Sequence, residues 1–242
     1  MRLHLLFKAE EPIKIPYNYN YAINSMIYNK IADKDLAAKL HQTKNYKFFT
    51  FSELQIMKRK PLKKYLIAEN GEIGLYISSP DEGFIKSLVE GFLTDPQINL
   101  LKNKIWIEKV SLLKKPKIKK RMKFKTLSPI ITRTLKEENG KLKQWDLNPA
   151  DLKFYENLQK NLINKYIAFH GEYDGDEYIK IVPEQRSIKR KRIKIPKSGA
   201  ETYHRAYHMR FEMEADPRLI EFAYDCGVGE KNSMGFGMVI KT

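Results

Sequence analysis

Cysteine is nearly absent from this chain, which has one, Cys226, in 242 residues. A disulfide needs two cysteines and a cysteine-based zinc site needs more, so both are excluded within the chain. There is also no Cys-x-x-Cys, no His-Glu-x-x-His and no acidic ligand set. The sequence therefore predicts neither a metal nor a cofactor.

Long apolar runs are missing as well. The apolar stretch near the N-terminus covers only residues 3–7, which is too short for a signal peptide. No segment approaches the roughly 20 apolar residues of a transmembrane helix. We expect a cytoplasmic protein that does not enter a membrane.

Acidic residues are scarce relative to basic ones, with 29 Asp and Glu against 45 Lys and Arg and a net charge of +16. Residues 114–125 hold eight basic side chains and residues 186–197 hold seven, both without an acid. A Lys-rich, solvated surface would disperse its charge, whereas this clustering favours a nucleic acid. Neither run has the apolar face of a membrane-surface helix. The candidate contacts are Lys119, Lys120, Arg121, Arg190, Lys191 and Arg192.

Four glycines lie close together in the glycine loop, residues 227–237, which reads Gly-Val-Gly-Glu-Lys-Asn-Ser-Met-Gly-Phe-Gly. Glycine permits positive φ and close backbone approach. The pairs Gly227/Gly229 and Gly235/Gly237 flank Lys231, Asn232 and Ser233, and together they predict a polyanion cradle made of backbone N–H groups. The alternative is a helix C-cap followed by a hairpin. A dinucleotide fingerprint would need a glycine where Asn232 stands, and a Walker loop would need Gly-Lys-Ser/Thr, so both are excluded.

Hydrophobic periodicity predicts the same order of elements, β-α-β-β-α-β, in each half. In the first half we expect strands at 1–9, 62–68, 72–78 and within 98–113, and a strand start in 44–53. The helices are predicted at 20–32, at 34–41 and after a capping box, Ser79-Pro80-Asp81-Glu82.

In the second half we expect strands at 123–136, 177–183, 188–195, 201–214 and 236–241. The helices are predicted to start at Asn148-Pro149 and Asp216-Pro217, the latter ending at Gly227. The pattern predicts an α+β fold of two tandem ferredoxin-like (RRM-like, βαββαβ) domains, residues 1–116 and 117–242, with a C-terminal glycine-rich loop.

The glycine loop resembles the C-terminal signature of the CRISPR repeat-RNA processing endoribonucleases, the sixth CRISPR-associated (Cas) family of the RAMP superfamily. That signature is glycine, apolar, glycine, five variable residues, glycine, apolar, glycine. Ile27-Tyr28-Asn29 and Thr126-Leu127-Ser128-Pro129-Ile130 are similar to further segments of the family. The resemblance implies metal-independent cleavage of CRISPR precursor RNA within repeats, which generates guide RNAs. CRISPR repeat RNA is the implied partner. Association with an effector complex and the choice between monomer and homodimer stay open.

RNA can be cut without a metal because its own 2′-hydroxyl can act as the nucleophile. The protein must then move two protons and stabilise charge on the phosphorus, for which histidine and lysine are suited. The resemblance implies that His41 transfers protons, Tyr28 acts near the 2′-hydroxyl and Lys47 stabilises charge. Lys44 is an alternative to Lys47. From the residues alone, a surface histidine at a helix edge and a half-buried tyrosine are the favoured interpretation of His41 and Tyr28.

Two histidines later in the chain, His204 and His208, fall in a predicted strand. Four residues of strand span roughly 13 Å, too far for one shared ion, so RNA contact is favoured over metal binding. Two other functions also remain open, a repeat-RNA binding protein that does not cut and a structural subunit of an effector complex.

Overall fold

The structure is a computed structural model that describes residues 1–42, 46–197 and 200–242. It has a mixed α+β fold with several antiparallel sheets. The first half contains, in chain order, β1 (Arg2–Lys8), β2 (Ile13–Pro16), α1 (Asn20–Asn29), α2 (Lys34–Gln42), β3 (Thr50–Phe51), β4 (Arg59–Pro61), β5 (Tyr65–Ala68), β6 (Glu72–Ser78), α3 (Glu82–Thr94), β7 (Gln97–Leu100) and β8 (Asn103–Leu113). The second half contains β9 (Arg121–Thr126), β10 (Arg133–Glu138), β11 (Lys141–Asp146), α4 (Leu152–His170), β12 (Lys180–Pro183), β13 (Lys189–Lys197), β14 (Ala200–His208), β15 (Arg210–Glu214), α5 (Pro217–Cys226) and β16 (Val239–Lys241).

The main sheet of the first half has the order β3-β6-β1-β8-β7. Leu3, Leu5 and Phe7 alternate along β1 and are fully buried, as the period of two predicts. Helices α1 and α3 pack their apolar stripes into the same core, where Ile27 and Phe92 are fully buried. A smaller sheet, β2-β5-β4, lies beside it, and of its strands only β5 was predicted.

The main sheet of the second half has the order β12-β15-β9-β16. If only the strands of each main sheet are numbered in chain order, and the edge strand β7 is left aside, both sheets have the strand order 2-3-1-4. In both halves helices follow the first and the third strand. The repeated β-α-β-β-α-β pattern of the sequence therefore corresponds to a repeated connectivity.

Two hairpins interrupt this repeat, and the sequence predicted neither β10–β11 nor the separation of β13–β14 from the main sheet. The expected strand 123–136 is wrong because β9 ends at Thr126. The N–H groups of Leu127 and Ser128 both donate to the carbonyl of Met238, and Pro129 has no N–H for a ladder.

The expected strand 201–214 also divides in two. Strand β14 pairs with β13, whereas β15 pairs with β9 and β12. The change of sheet occurs at Met209, whose N–H donates to Thr126 Oγ1 at 3.2 Å and whose carbonyl accepts from the N–H of Thr126 at 3.1 Å.

Side-chain caps begin α3 and α5 but not α4, and two of the three predicted helix starts need correction. Helix α3 begins after Asp81, whose Oδ1 accepts from the N–H of Phe84 at 3.1 Å, so Ser79 is not the cap. Helix α4 begins at Leu152, and Asn148-Pro149 form the preceding turn. Helix α5 begins and ends as predicted, with Asp216 as its N-cap and Gly227 as its C-cap.

The two halves are in direct contact. Arg2, which is buried, donates to the carbonyl of Tyr224 at 2.6 Å, and Thr50 Oγ1 donates to the carbonyl of Phe236 at 2.9 Å. The chain passes from β8 to β9 through residues 114–120. In the described ranges, no helix is long and apolar enough to cross a membrane.

Candidate functional site

The shape of the glycine loop depends on its four glycines. Gly227, Gly229, Gly235 and Gly237 have φ of 90°, 77°, 79° and 73°, in the left-handed region that glycine adopts without strain. A Cβ on Gly237 would lie 1.8 Å from the carbonyl oxygen of Val228, and one on Gly235 would lie 2.3 Å from the ring of Phe51. The glycines are therefore buried against the protein itself.

Several loop N–H groups are already bonded within the protein. Those of Val228, Glu230 and Gly237 donate to the carbonyls of Gly237, Ile131 and Pro129. These three groups are thus not available for the predicted cradle. The helix C-cap interpretation is confirmed for Gly227, which closes α5 by donating to Ala223.

A buried lysine that the sequence analysis missed lies beneath the loop. Lys165 of α4 is 2% exposed, and its Nζ donates to the carbonyls of Gly227 (2.7 Å) and Gly229 (3.0 Å) and to Asn232 Oδ1 (2.8 Å). Its burial lowers the pKa of the ammonium group. Position 165 lies on the apolar stripe of Leu158 and Leu162 at helical spacing, a signal that could have identified it.

Helix α1 of the first half contacts the same loop from the other side. Asn24 Nδ2 donates to the carbonyl of Ser233 at 2.7 Å, and Asn20 Nδ2 donates to that of Met234 at 2.9 Å. Asn24 and Tyr28 are one helical turn apart, so they project from the same face of α1. The loop of the second half and the helix that carries Tyr28 are thereby held together.

The three residues proposed for catalysis are close in space. The ring centroids of Tyr28 and His41 are 5.5 Å apart, and Lys47 Nζ is 5.1 Å from the Tyr28 ring centroid. The Tyr28 hydroxyl is buried and has no hydrogen-bond partner in the described part of the chain. His41 is exposed and Lys47 half-buried. Lys44, the alternative lysine, lies outside the described residues.

A cleft of about 870 Å³ joins this group to the glycine loop. From the first half Asn24, Tyr46 and Lys47 line it, and from the second half residues 229–234 and the helix α4 do so. Arg133 also lines the cleft, and it binds Glu230 through its Nε at 2.7 Å. The cleft therefore brings the predicted Lys231, Asn232 and Ser233 to the same opening as Lys47.

The first basic run does not reach this cleft. Lys119, Lys120 and Arg121 are exposed, and Arg121 Nε donates to Glu212 at 2.6 Å. Arg121 is the first residue of β9 and lies five residues from Thr126, which is about 17 Å at roughly 3.3 Å per residue. The loop meets β9 at Thr126, so these three residues lie at or before the opposite end of the strand.

The second basic run forms β13. Arg190 and Arg192 are exposed, and Arg192 lies 4.0 Å from the ring centroid of Tyr203. Lys191 instead makes an ion pair with Glu53 of the first half.

The two histidines of β14 have separate carboxylate partners. His208 Nε2 lies 3.2 Å from Glu53, and His204 Nδ1 lies 3.3 Å from Asp146. Burial alone would raise the pKa of Glu53, but hydrogen bonds from His208 and Lys191 outweigh it and lower the pKa to about 2. Within residues 1–42, 46–197 and 200–242, no three or more His, Cys, Asp or Glu side chains are grouped so that they could hold a metal ion.

Two α+β halves of equal connectivity, with this glycine loop between them, define a member of the RAMP superfamily. Residues 14–111 match the model of the CRISPR-associated protein Cas6, N-terminal, and residues 113–240 match that of the CRISPR associated protein Cas6, C-terminal. The chain belongs to the Cas6 family.

Similar proteins extend over the full length of the chain. The CRISPR-associated endoribonuclease Cas6 1 of Methanocaldococcus jannaschii is 42% identical over 99% of this chain and 92% of its own. A solved structure of a CRISPR associated protein Cas6 is 40% identical, with a TM-score of 0.86 over 100% of this chain and 99% of the other. A structure described as a RAMP protein binding different RNA substrates is 30% identical, with a TM-score of 0.88 over 100% and 99%.

Proposed function

We propose that this protein is a metal-independent endoribonuclease that cuts CRISPR precursor RNA within its repeats and so generates guide RNAs. The observation that carries the proposal is the grouping of Tyr28, His41 and Lys47 beside a cleft lined by the glycine loop. The endoribonuclease names of relatives such as the 42% identical one support it.

The reaction we propose is attack by the 2′-hydroxyl of the RNA on the neighbouring phosphorus. It breaks the bond to the 5′-oxygen and leaves a 2′,3′-cyclic phosphate and a 5′-hydroxyl. His41 is the main proton-transfer residue, because imidazole exchanges protons near neutral pH. Its exposed position at the end of α2 leaves its ring accessible to substrate.

Tyr28 acts beside the 2′-hydroxyl in this proposal. Its ring packs edge-on against Phe49, with centroids 6.1 Å apart, which restricts its orientation. Its hydroxyl has no partner in the described chain but is buried, so a hydrogen bond to an RNA oxygen requires neighbouring side chains to move aside.

Lys47 links the reacting group to the cleft, since it lines the cleft and lies against the Tyr28 ring. A phosphate beside its ammonium group would be within reach of Tyr28 and His41. Charge accumulates on the phosphate oxygens in the transition state, and a positioned cation stabilises it.

RNA contacts are proposed on both sides of this centre. Lys231, Asn232 and Ser233 would bind RNA in the cleft, and the four glycines give the loop its shape. Outside the cleft, the candidate contacts are Arg190, Lys191, Arg192, Lys119, Lys120 and Arg121. Lys191 would have to exchange its ion pair with Glu53 for a phosphate.

We further propose that the two halves are tandem ferredoxin-like domains, residues 1–116 and 117–242. The shared strand order of the two main sheets and the helices after their first and third strands support this division. The catalytic group then belongs to the first domain and the glycine loop to the second.

The second candidate function is RNA binding without cleavage. It is favoured by the 30% identical RAMP protein, whose description mentions only the binding of RNA substrates. Binding and cleavage are separated by incubating the purified protein with repeat RNA in excess EDTA and mapping the product ends.

The decisive variants in that assay are His41→Ala and His41→Gln. We expect single-turnover cleavage to slow by about 10²–10⁴-fold, the usual contribution of one proton-transfer group, with little change in RNA affinity. Gln42→Ala, at the neighbouring exposed position of α2, is the matched control. Unchanged cleavage by both His41 variants would remove the catalytic assignment. A wild-type protein that binds repeat RNA but never cuts it would favour the binding function.

A further inference from the structure

The ammonium group of Lys165 is a buried charge that lies directly beneath the glycine loop. The residue is 2% exposed, and no carboxylate lies within ion-pair distance among the described residues. The carboxylate of Glu230 acts on it electrostatically, but that carboxylate is bound by Arg133 at 2.5 Å. Buried lysines are normally paired, because an unpaired charge in the protein interior is costly.

We propose that Lys165 is a positioning residue for RNA binding, which holds the glycine loop in the shape that accepts the phosphate backbone. This inference rests on the proposed RNA-binding function of the cleft. In this proposal Lys165 does not contact RNA, and it affects RNA affinity only by fixing the conformation of the loop.

Lys165 binds the first half of the glycine loop. Its three acceptors belong to Gly227, Gly229 and Asn232, so one side chain fixes the first glycine pair and the start of the polar segment. The side-chain nitrogen of Asn232 continues the connection, as it donates to the carbonyls of Val228 (3.3 Å) and Phe236 (3.0 Å).

The direction of these bonds matters for an anionic ligand. Carbonyl oxygens carry partial negative charge and would repel a phosphate, but here they are turned to internal donors. Lys165 and Asn232 bind the carbonyls of residues 227–229 and 236, while Asn24 and Asn20 bind those of residues 233 and 234. A positive charge that is solvated only by neutral acceptors also adds to the positive potential of the cleft, which Lys165 helps to line.

The test compares Lys165→Met and Lys165→Gln with the control Lys160→Met, an exposed lysine on the same helix. RNA affinity is measured over a range of salt concentrations. We expect Lys165→Met to weaken binding by about 10–100-fold, the range for a hydrogen-bonded charge. The RNA affinity of Lys165→Gln should lie between those of the wild-type protein and Lys165→Met, because the Gln amide can still donate hydrogen bonds. The slope of log affinity against log salt should stay unchanged, since no phosphate contact is lost.

A second measurement needs no RNA. Hydrogen exchange at the N–H groups of Val228, Glu230 and Gly237 should accelerate in Lys165→Met but not in the control, because the loop loses its anchor. If the wild-type protein does not bind repeat RNA, the proposed function fails, while this measurement still tests the hold of Lys165 on the loop.

Three results would overturn the inference. One is a folded Lys165 variant whose loop N–H groups exchange faster but whose RNA affinity equals that of the wild-type protein. Another is a slope reduced by about 0.7, which would make Lys165 a direct phosphate ligand. The third is loss of cooperative melting in both variants, which would make the lysine a core residue of the fold.

Discussion

At the scale of single residues, the Tyr28 hydroxyl is a polar group that the described chain leaves unpaired although it is buried. Such a group costs stability, since it gives up water without gaining a partner. His41 and Lys47 lie beside it, and we propose that the hydroxyl takes part in cleavage with them. Function and stability should therefore respond in opposite directions to its removal.

Tyr28→Phe deletes only this hydroxyl. We expect single-turnover cleavage to fall by about 10²–10⁴-fold, as for a group that takes part in proton transfer. The free energy of unfolding should stay equal or rise by up to about 1 kcal/mol, because an unsatisfied polar atom is removed. The melting temperature should change in the same direction.

Tyr155→Phe is the matched control, since the Tyr155 hydroxyl donates to the carbonyl of Pro149 at 2.8 Å. It should lose about 1 kcal/mol of stability and keep full activity. A Tyr28→Phe protein that is less stable and fully active would mean that the hydroxyl is structural.

At the scale of elements, the glycine loop combines backbone conformation with close packing, and the two can be separated. Gly235 has φ of 79° and lies against the ring of Phe51, whereas Gly140 has φ of 71° and open space where a Cβ would lie. Alanine at either position pays the same conformational cost. Only at Gly235 does the new methyl group also meet a neighbour.

We expect Gly140→Ala to cost about 1 kcal/mol of stability. Gly235→Ala should cost about 2–4 kcal/mol, because overpacking adds to the backbone strain. Gly235→Ala should also weaken RNA binding, as the ring of Phe51 and the loop must move apart. Chemical unfolding and an RNA titration measure both. Equal stability losses at the two glycines would show that packing at Gly235 is unimportant.

The same scale shows what the sequence could predict. Helices with a regular apolar stripe, such as α1 and α3, were predicted within a few residues, because periodicity depends on local spacing. The strand change at Met209 was missed, since it depends on Thr126, far away in sequence. The capping error at Ser79 is a shift of two residues: its hydroxyl accepts from the N–H of Asp81 at 3.0 Å, and Asp81 is the residue that caps α3.

The candidate site was predictable to the same degree. Tyr28, His41 and Lys47 were predicted from a family resemblance, and the fold places them close together; their catalytic role stays a prediction. Lys165 was not identified because a lysine on an apolar stripe is ordinarily counted as an exception to the pattern. Its partners, three loop acceptors more than 60 residues away, exist only in the folded chain.

At the scale of the whole molecule, Glu53 connects the two halves. It belongs to the segment after β3, and it binds Lys191 of β13 and His208 of β14. Its pKa falls from an ordinary value of 4.5 to about 2 on folding, because the bonds from His208 and Lys191 outweigh burial. A carboxyl group whose pKa is lowered on folding stabilises the fold above its unfolded pKa.

Glu53→Gln should therefore lower the melting temperature near neutral pH. The difference from the wild-type protein should shrink as the pH falls from about 4.5 towards 2, where the wild-type carboxyl group becomes protonated as well. Glu156→Gln, an exposed position of α4, serves as the control. A stability difference that persists unchanged at pH 2 would show that the charge of Glu53 does not hold the halves together.

The central claim is that the nucleophile comes from the RNA itself. Replacing the single ribose 5′ of the scissile phosphate by deoxyribose removes that oxygen and leaves the phosphates and bases in place. Affinity should change by less than about 1 kcal/mol, one neutral hydrogen bond at most. We expect cleavage at that phosphate to vanish, and EDTA to leave cleavage of unmodified RNA unaffected. Cleavage of the deoxy substrate at the same phosphate, or loss of the normal reaction in EDTA, would contradict the roles given to Tyr28, His41 and Lys47.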